Sequence, residues 1–550
     1  MRSTRKPNSF IRAGAFLLAA GLCFGLLAMA GCNKDDGSGK VINFPVEEAP
    51  RSLDPAIARS ASELLVVNNC FEGLVRQDAD GTLVPGAAQS WEISPDGLTY
   101  TFHLREDNHW RLHADAKKLL GEEERDAFDT QVTAEDFRFG LMRALAPITA
   151  SQSADALYAI KNAKAVHEGI AIPEDLGVEA WDRFTVVITL ERPNATFLYT
   201  LTQSAAMPCS QAYFEATKGR YGLAPRYLLC NGPFYLSTMG DALVQLRKND
   251  GYKKDWAVGP SLVNLRVQPS LETRLQYLGA DGGYDAVPVP AALLAEGEAD
   301  AYESILLQNA ALSLLFNCDN APLDNAKLRT ALCAALDPAA LGLESPGMLL
   351  TEGVRVGGGQ YRTLAGPPKG ISHDMNRARK LLNECELEGG KLQLTLLCAP
   401  AHDTLLRRAL QQWQSLFGLA LEVQIETAEP EELLGRLRQG DYDIAVAALP
   451  MGSSFALEAL RWLAESGSAG NWMRYSSKTL DTLLQGAAQT EDDQACARAC
   501  LQAEEHLLQN GVVYPLMPLA SRLLLAPGVQ DLAVSPAGDQ IYFGYAKKLG

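Results

Sequence analysis

The chain has 550 residues, which at about 150 residues per domain corresponds to three or four domains and excludes a single small module. It is 47% hydrophobic, 21% charged and 7% aromatic, a composition typical of a globular protein and not of a disordered, fibrous or coiled-coil one. The first 31 residues contain four basic side chains and no acidic one, so the remainder carries 45 basic against 66 acidic side chains and a net charge of −21. Because so acidic a body repels a phosphate backbone, we expect no nucleic-acid partner.

The N-terminus has the pattern of an export signal. A basic stretch precedes an uncharged segment, 13–31, and a polar tract follows Cys32 as far as residue 40. Leu26-Leu27-Ala28-Met29-Ala30-Gly31-Cys32 resembles a bacterial lipobox, in which the cysteine is lipidated and becomes the first mature residue. The uncharged segment is also long enough to span a bilayer, so an uncleaved helix is the alternative. In both cases we expect the globular part to lie outside the cytoplasmic membrane, on a flexible linker.

The next part of the chain predicts short strands and turns. Residues 41–46 form an extended run, and Ser52-Leu53-Asp54-Pro55 is a turn before a helix-like apolar segment at 63–74. Apolar and polar residues alternate over 98–104, which predicts a half-buried strand. This pattern is typical of an antiparallel sheet.

A charged segment, 111–131, separates these strands from a predicted helix. Thr133 is predicted to cap that helix, which places Phe137, Leu141 and Leu145 on one face. We expect the charged segment to be an exposed insertion that does not touch a ligand.

The second half predicts alternating strands and helices. The strands are 391–397, 421–425 and 441–447, and the helices are 404–417, ended by Gly418, and 431–438. Strand and helix alternation at this spacing predicts a parallel α/β sheet with right-handed crossovers.

Eleven cysteines are present, and removal of Cys23 with the signal and lipidation of Cys32 leave nine. There is no Cys-x-x-Cys spacing, and Cys496 and Cys500 are interpreted either as small buried residues or as a pair. An exported location permits disulfides. Cys209 and Cys230 are the first pair to test, although connectivity cannot be deduced from the sequence.

Motifs of catalysis and cofactor binding are absent from the sequence. His103, His109 and His113 lack the spacing of a metal site, and the glycine-rich run 353–359 is interpreted as a loop, not a phosphate-binding motif. No Gly-x-Ser-x-Gly motif occurs. We expect no catalytic residue, metal or cofactor, while a carboxylate pair assembled in space stays open.

Seven strings, taken in order behind the lipobox, resemble the extracellular solute-binding proteins of peptide ABC transporters, the oligopeptide- and dipeptide-binding lipoproteins. The strings are Ser52-Leu53-Asp54-Pro55, Phe71-Glu72-Gly73-Leu74, residues 88–105, Val132-Thr133-Ala134-Glu135-Asp136-Phe137, Asn231-Gly232-Pro233-Phe234-Tyr235, residues 317–337, and residues 471–477 with Asp481. The similarity is therefore spread over most of the chain.

The resemblance implies an α/β, two-lobed periplasmic-binding-protein-like fold of the larger type, with an extra subdomain and mixed sheets joined by a hinge. It implies the following organisation: signal peptide 1–31, lipidated Cys32 and linker 32–40, lobe I at 41–78, its extra subdomain at 79–195, lobe I again at 196–283, lobe II at 284–519, and a return to lobe I at 520–550. Hinge closure around a ligand lets contacts from both lobes stabilise one state.

The resemblance also implies where ligand contacts lie. Arg59 and Ala61 follow the Asp54-Pro55 turn at a position where peptide binders line the cleft. The aspartate that pairs with a peptide's amino terminus in relatives aligns with Gly467, and Glu465 lies two residues away. Either Glu465 supplies that charge or it is a solvated loop carboxylate. The remaining candidates are Trp462 and Trp472, for which core packing is the alternative, Phe455 and Arg461, for which a solvated or packed role is the alternative, and Asn471.

We interpret the chain as a monomeric, lipid-anchored binding protein that delivers short oligopeptides to ABC permease subunits and is not an enzyme. Within the family, the alternatives are a metal chelate, an oligosaccharide or a signalling peptide as ligand. The alternatives from other classes are an exported hydrolase and a surface protein that has lost transport.

Overall fold

The computed structural model describes residues 41–549, apart from short gaps at 79–81, 121–127, 152, 195–196, 255, 291–292, 295–300, 344–346, 352–353, 358, 386–390, 451–454, 469, 491 and 536–539. The predicted signal segment, Cys32 and the linker lie outside the described residues. Within the described residues, no helix is long and apolar enough to cross a bilayer.

The part of the chain up to residue 283, which the sequence interpretation assigns to lobe I, contains twelve strands and six helices among its described residues. Its strands are β1 (Val41–Val46), β2 (Val75–Gln77), β3 (Leu83–Pro85), β4 (Ala88–Ile93), β5 (Thr99–Leu104), β6 (Arg111–Leu112), β7 (Val178–Asp182), β8 (Thr185–Thr189), β9 (Leu229–Cys230), β10 (Phe234–Met239), β11 (Leu243–Lys248) and β12 (Leu262–Val267). Its helices are α1 (Ala61–Cys70), α2 (Ala134–Leu145), α3 (Ala163–His167), α4 (Phe197–Thr200), α5 (Gln211–Ala216) and α6 (Leu271–Gln276).

Two four-stranded sheets organise lobe I. One has the order β1-β12-β11-β10, with β1 parallel to β12 and the other neighbours antiparallel. The other has the order β4-β5-β8-β7 and is antiparallel throughout. In β5, Tyr100, Phe102 and Leu104 are buried and alternate with partly exposed residues, which confirms the half-buried strand predicted for this segment.

The helix predicted over 63–74 ends four residues early. It is α1, Ala61–Cys70, and Phe71 takes an extended conformation. A Cβ at Gly73 would lie 2.5 Å from the carbonyl oxygen of Leu201. Two backbone segments therefore cross closely just after the helix, at a position that only glycine can occupy.

Helix α2 begins where the sequence predicts. Thr133 and Asp136 form a capping box, in which the Asp136 carboxylate accepts the Thr133 N–H at 2.8 Å. Phe137, Leu141 and Leu145 are fully buried. The predicted cap and the predicted apolar face are both confirmed.

The sequence interpretation expected the charged segment 111–131 to be exposed, but part of it is buried. Its start forms β6, which pairs with β9. Ala116 and Leu120 are buried, and the Phe128 ring lies 6.0 Å from the buried Tyr213 ring. These apolar residues are spaced among charged ones, so the high overall charge of the segment led to the wrong prediction that it is exposed.

The sequence interpretation assigns the rest of the chain to lobe II, with a return to lobe I at 520–550. The strands are β13 (Ala286–Pro290), β14 (Glu303–Phe316), β15 (Arg355–Val356), β16 (Gly359–Gln360), β17 (Leu392–Cys398), β18 (Leu421–Thr427), β19 (Ile444–Pro450), β20 (Val513–Leu525), β21 (Val529–Gln530), β22 (Ala533–Val534), β23 (Ile541–Tyr542) and β24 (Lys547–Lys548). The helices are α7 (Ala326–Ala334), α8 (Pro338–Leu341), α9 (Tyr361–Ala365), α10 (Met375–Asn383), α11 (Asp403–Phe417), α12 (Pro430–Gln439), α13 (Ala456–Ala464), α14 (Lys478–Ala488) and α15 (Asp493–Gln509). The glycine-rich run expected to be a loop contains the short hairpin β15–β16 in its described residues.

A six-stranded mixed sheet forms the centre of lobe II, in the order β13-β20-β14-β19-β17-β18. β17 is parallel to both β18 and β19, which confirms the parallel arrangement predicted for 391–447. Its neighbouring residues Leu396 and Leu397 face two different apolar cores, one on each side of the sheet. β19 is apolar along its length, as expected for a strand covered on both faces, whereas β17 begins Leu-Gln-Leu-Thr-Leu and β18 begins Leu-Glu-Val-Gln-Ile, so these two strands alternate.

All nine cysteines of the described chain are free thiols. The disulfide singled out for testing, Cys209 to Cys230, is not formed. Cys230 lies against Cys70, and Cys209 lies against Tyr221, so the two sulfurs belong to different clusters. Burial raises the pKa of the Cys209 thiol to about 12, so this group is unreactive at neutral pH.

Candidate functional site

Among the described residues, two of the side-chain contacts between the lobes involve candidate ligand residues. The Tyr199 ring of α4 lies 3.8 Å, centroid to centroid, from the ring of Phe455 at the start of α13. Arg192 donates from Nη2 to Glu465 Oε2 at 3.3 Å. Phe455 also forms a backbone bridge with Arg355 of β15. The lobes are therefore in direct contact across the region where the sequence interpretation placed the ligand.

Glu465 and Gly467 lie in the loop that follows α13. The Glu465 side chain is 20% exposed and Arg192 is 70% exposed, so solvent screens their ion pair. Gly467 is exposed and has a φ of +83°, a conformation that favours glycine. The two alternatives for Glu465 were a carboxylate that binds a peptide amine and a solvated loop carboxylate. In the structure it is instead paired with Arg192 of the other lobe.

Asn471 holds this loop closed. Its side-chain amide donates to the carbonyl oxygens of Tyr475 at 2.7 Å and Glu465 at 3.3 Å, and its Oδ1 accepts the Tyr475 N–H at 3.1 Å. The Trp462 and Trp472 rings are 5.8 Å apart and edge to face, and Trp472 is buried. These three residues position the loop through packing and hydrogen bonds within lobe II.

Arg461 lies on α13 and faces α15. Its guanidinium is 3.7 Å from Glu458, and its charge acts on Cys496 and Cys500. At the other end of the chain, Arg59 and Ala61 are exposed at the start of α1, where the Arg59 N–H donates to Glu63 at 3.0 Å. The candidate residues thus form one group in lobe II and a separate pair in lobe I.

A buried charge cluster in lobe I was missed from the sequence. Glu72, whose side chain is 2% exposed, lies 3.1 Å from Arg105, 3.1 Å from Lys254 and 3.7 Å from Arg76, and it accepts the Tyr252 hydroxyl at 2.7 Å. One carboxylate therefore serves three cations. The available signal was a charged residue inside the apolar string Phe71-Glu72-Gly73-Leu74, which indicates a buried, paired carboxylate.

The pKa of Lys254 is lowered to about 8, because burial disfavours the ammonium and Arg105 and Arg76 repel it, while Glu72 opposes the shift. An unfolded lysine has a pKa of about 10.4, so between about pH 8 and pH 10 the unfolded state binds more protons than the folded one. Stability contributed by this site must therefore rise with pH across that window.

We expect the wild type to gain about 1–2 kcal/mol of unfolding free energy over Lys254→Met when pH is raised from about 8 to 9.5. The measurement is urea unfolding of both proteins at each pH. Lys253→Met is the matched control, since Lys253 is exposed, and it should run parallel to the wild type. If the unfolding free energies of the wild type and Lys254→Met change in parallel with pH, the pKa of Lys254 is not lowered.

Comparison with known proteins bears on this geometry. Residues 82–471 match the family model of bacterial extracellular solute-binding proteins, family 5 middle. The periplasmic oligopeptide-binding protein OppA of Haemophilus influenzae is 26% identical over 529 residues, covering 93% of this chain and 94% of that protein. The probable deoxycholate-binding periplasmic protein YgiS of Escherichia coli is 26% identical over 515 residues, 92% of each chain.

Solved structures show the same architecture. The crystal structure of Haemophilus influenzae OppA in complex with RPPGFSPFR matches with a TM-score of 0.71 at 24% identity, covering 93% of this chain and 99% of that chain. At this identity the similarity concerns the fold. It confirms the two-lobed arrangement expected from the sequence.

Proposed function

The chain belongs to family 5 of the bacterial extracellular solute-binding proteins, and from this premise we propose that it captures short oligopeptides between its lobes and delivers them to an ABC permease. The relative of Haemophilus influenzae is named for oligopeptide binding and has been solved with a peptide, RPPGFSPFR. Contact between Tyr199 and Phe455, and between Arg192 and Glu465, is the observation that carries the proposal. Such contacts stabilise a closed state that a ligand between the lobes can select.

We propose further that Cys32 is lipidated and holds the protein at the outer side of the cytoplasmic membrane. In this proposal the protein is a monomer, its partners are permease subunits, and it releases the ligand chemically unchanged. The domain limits given above, with the insertion in the extra subdomain and the hinge near residue 284, belong to the same proposal. Two-lobed closure requires no reacting group, because the closed shape itself is what a permease recognises.

The ligand-contacting residues are proposed in two groups. Phe455 and Glu465, which contact lobe I, and Trp462 are the candidates for direct peptide contact from lobe II, and Arg59 and Ala61 are the candidates from lobe I. Arg461, Gly467, Asn471 and Trp472 set the loop that carries those candidates. Because Glu465 is paired with Arg192, a peptide ammonium at Glu465 has to compete with a guanidinium for one carboxylate.

Calorimetric titration with a panel of di- to hexapeptides tests peptide capture. We expect saturable binding of at least part of the panel, accompanied by a smaller radius of gyration in solution scattering, and recovery of the intact peptide by mass spectrometry. Deoxycholate, a nickel chelate and an oligosaccharide form the comparison panel. Binding of one of these with no response to any peptide, or recovery of a cleaved peptide, would overturn the proposal.

Removal of the interlobe ion pair should weaken peptide binding modestly. Because Arg192 and Glu465 are partly solvated, the pair contributes up to about 1 kcal/mol, so Arg192→Ala should raise the peptide Kd by up to about 5-fold at low salt. The difference should vanish near 1 M salt, where exposed charges are screened. Lys164→Ala, which breaks an exposed pair with Glu168, is the control and should leave Kd unchanged. A change of Kd that persists at high salt would assign the effect to something other than this pair.

A further inference from the structure

Two cysteine side chains meet in the core of lobe I. Cys70 is the last residue of α1 and Cys230 is the last residue of β9, and they are 160 positions apart in the sequence. Cys70 is 0% exposed and Cys230 is 2% exposed. Their thiols are joined by a hydrogen bond. The fold therefore brings two distant sulfur atoms into contact at a buried place.

The backbone around these two cysteines is held together by three hydrogen bonds. The Gly232 N–H donates to the carbonyl oxygen of Cys70 at 2.9 Å. The Asn231 side chain accepts the Glu72 N–H at 3.0 Å and donates to the Glu72 carbonyl oxygen at 2.9 Å. A Cβ at Gly232 would lie 2.8 Å from the carbonyl carbon of Cys70, so the two segments are in direct backbone contact. The meeting of the sulfurs is therefore fixed by backbone packing and does not depend on two flexible side chains alone.

A second hydrogen-bonded cysteine pair does not suit a covalent bond. Cys496 and Cys500 lie one turn apart on α15. Side chains one turn apart on a helix have Cβ atoms about 5–6 Å apart, whereas a disulfide requires about 3.5–4.5 Å. Of these two hydrogen-bonded pairs, Cys70 with Cys230 is therefore the one that a disulfide can join.

The location of the protein supplies the oxidant for such a bond. The chain belongs to a family of extracellular solute-binding proteins, and disulfides form and persist outside the cytoplasm. We propose that Cys70 and Cys230 are joined by a disulfide in the exported protein. The two thiols lose two protons and two electrons. The disulfide of a thiol oxidoreductase or of a small thiol compound accepts them and becomes two thiols.

The bond has to form before the core of lobe I closes. Burial and the hydrogen bond with Cys230 raise the pKa of the Cys70 thiol, so in the folded protein little of it is the thiolate that disulfide exchange requires. An oxidant reaches both sulfurs only while α1 and β9 are still accessible. The finished disulfide ties α1 to β9 across a long loop, which restricts the unfolded chain and stabilises the fold.

Peptide mapping of the wild-type protein tests the proposal. The protein is secreted by a host that makes periplasmic disulfides, purified without reductant, alkylated during denaturation and digested with trypsin. We expect peptides 60–76 and 227–247 as one linked species, about 2 Da lighter than the two free peptides together. Reductant added after digestion should release both peptides. Alkylation of Cys70 and Cys230 in the wild type, or linkage of either to another cysteine, overturns the proposal.

The number of alkylated thiols gives an independent check. Of the nine described cysteines, seven should be alkylated in the wild type, which is nine less the two that are joined. Cys70→Ala should raise the number to eight, because Cys230 then has no partner. Cys209→Ala, the matched control, removes another buried thiol of lobe I and should lower the number to six. If Cys70→Ala lowers the number as Cys209→Ala does, the disulfide is absent. The thiols are alkylated in the unfolded protein, so the count does not depend on how well a variant folds.

Discussion

Replacement of Asp54 by alanine is expected to lower the unfolding free energy of lobe I by about 3–5 kcal/mol. Arg143 donates from Nη1 to Asp54 Oδ2 at 2.7 Å and from Nη2 to Oδ1 at 2.5 Å. The two side chains are 8% and 7% exposed, and the guanidinium lies 4.7 Å from the Phe214 ring centroid. Removal of Asp54 leaves a guanidinium buried among aromatic rings without a counter-charge, and that penalty dominates the loss.

Urea unfolding followed by tryptophan fluorescence measures this effect. Asp129→Ala is the control, because its pair with Arg183 is about half exposed and should contribute no more than about 1 kcal/mol. The double variant Asp54→Leu with Arg143→Met removes both charges and should recover most of the loss. A loss below about 1 kcal/mol for Asp54→Ala would mean that water reaches Arg143 in the folded protein.

Replacement of Glu504 by alanine should destabilise lobe II by a similar amount, about 3–5 kcal/mol. Glu504 is fully buried on α15 and accepts four hydrogen bonds, from Arg362 at 2.6 and 2.9 Å, Tyr361 at 3.0 Å and the Leu350 N–H at 3.1 Å. Without Glu504, the Arg362 guanidinium has no counter-charge, and the Tyr361 hydroxyl and the Leu350 N–H have no acceptor. The connection between α9 and α15 should therefore open first.

Hydrogen exchange with mass spectrometry locates this effect, because the peptides covering α9 should lose protection while those of lobe I do not. Gln502→Ala is the matched control on the same helix, since Gln502 is exposed and its replacement should change stability by less than about 0.5 kcal/mol. Glu504→Gln keeps the shape and should lose less than alanine does. Equal stability of Glu504→Ala and the control would remove the assigned role of this carboxylate.

Helices and strands could be predicted from local sequence patterns, whereas features that depend on distant residues could not. The helix ended by Gly418 and the flanking strands β17 and β18 follow from periodicity and from a stop signal within the segment itself. By contrast, the need for glycine at Gly73, just after α1, comes from Leu201, more than a hundred residues away. A single sequence holds no information about which residue will approach Gly73.

The candidate site divides in the same way. The string around Phe71 and Glu72 indicated the family, yet two of the three cations that surround Glu72, Arg105 and Lys254, come from distant segments. The loop at Glu465 was predicted, but its partner Arg192 lies 273 residues earlier. Charge complementarity of this kind arises only when topology brings the segments together.

The pairing of the two ends of the folded chain sets an order for biosynthesis. Asn69 donates to the carbonyl oxygen of Ile541 at 2.8 Å and accepts the Phe543 N–H at 2.9 Å, while the Phe543 ring lies 5.4 Å from that of Phe44. The core of lobe I is therefore left open on the ribosome until residues 541–543 have been made, whereas lobe II can close earlier.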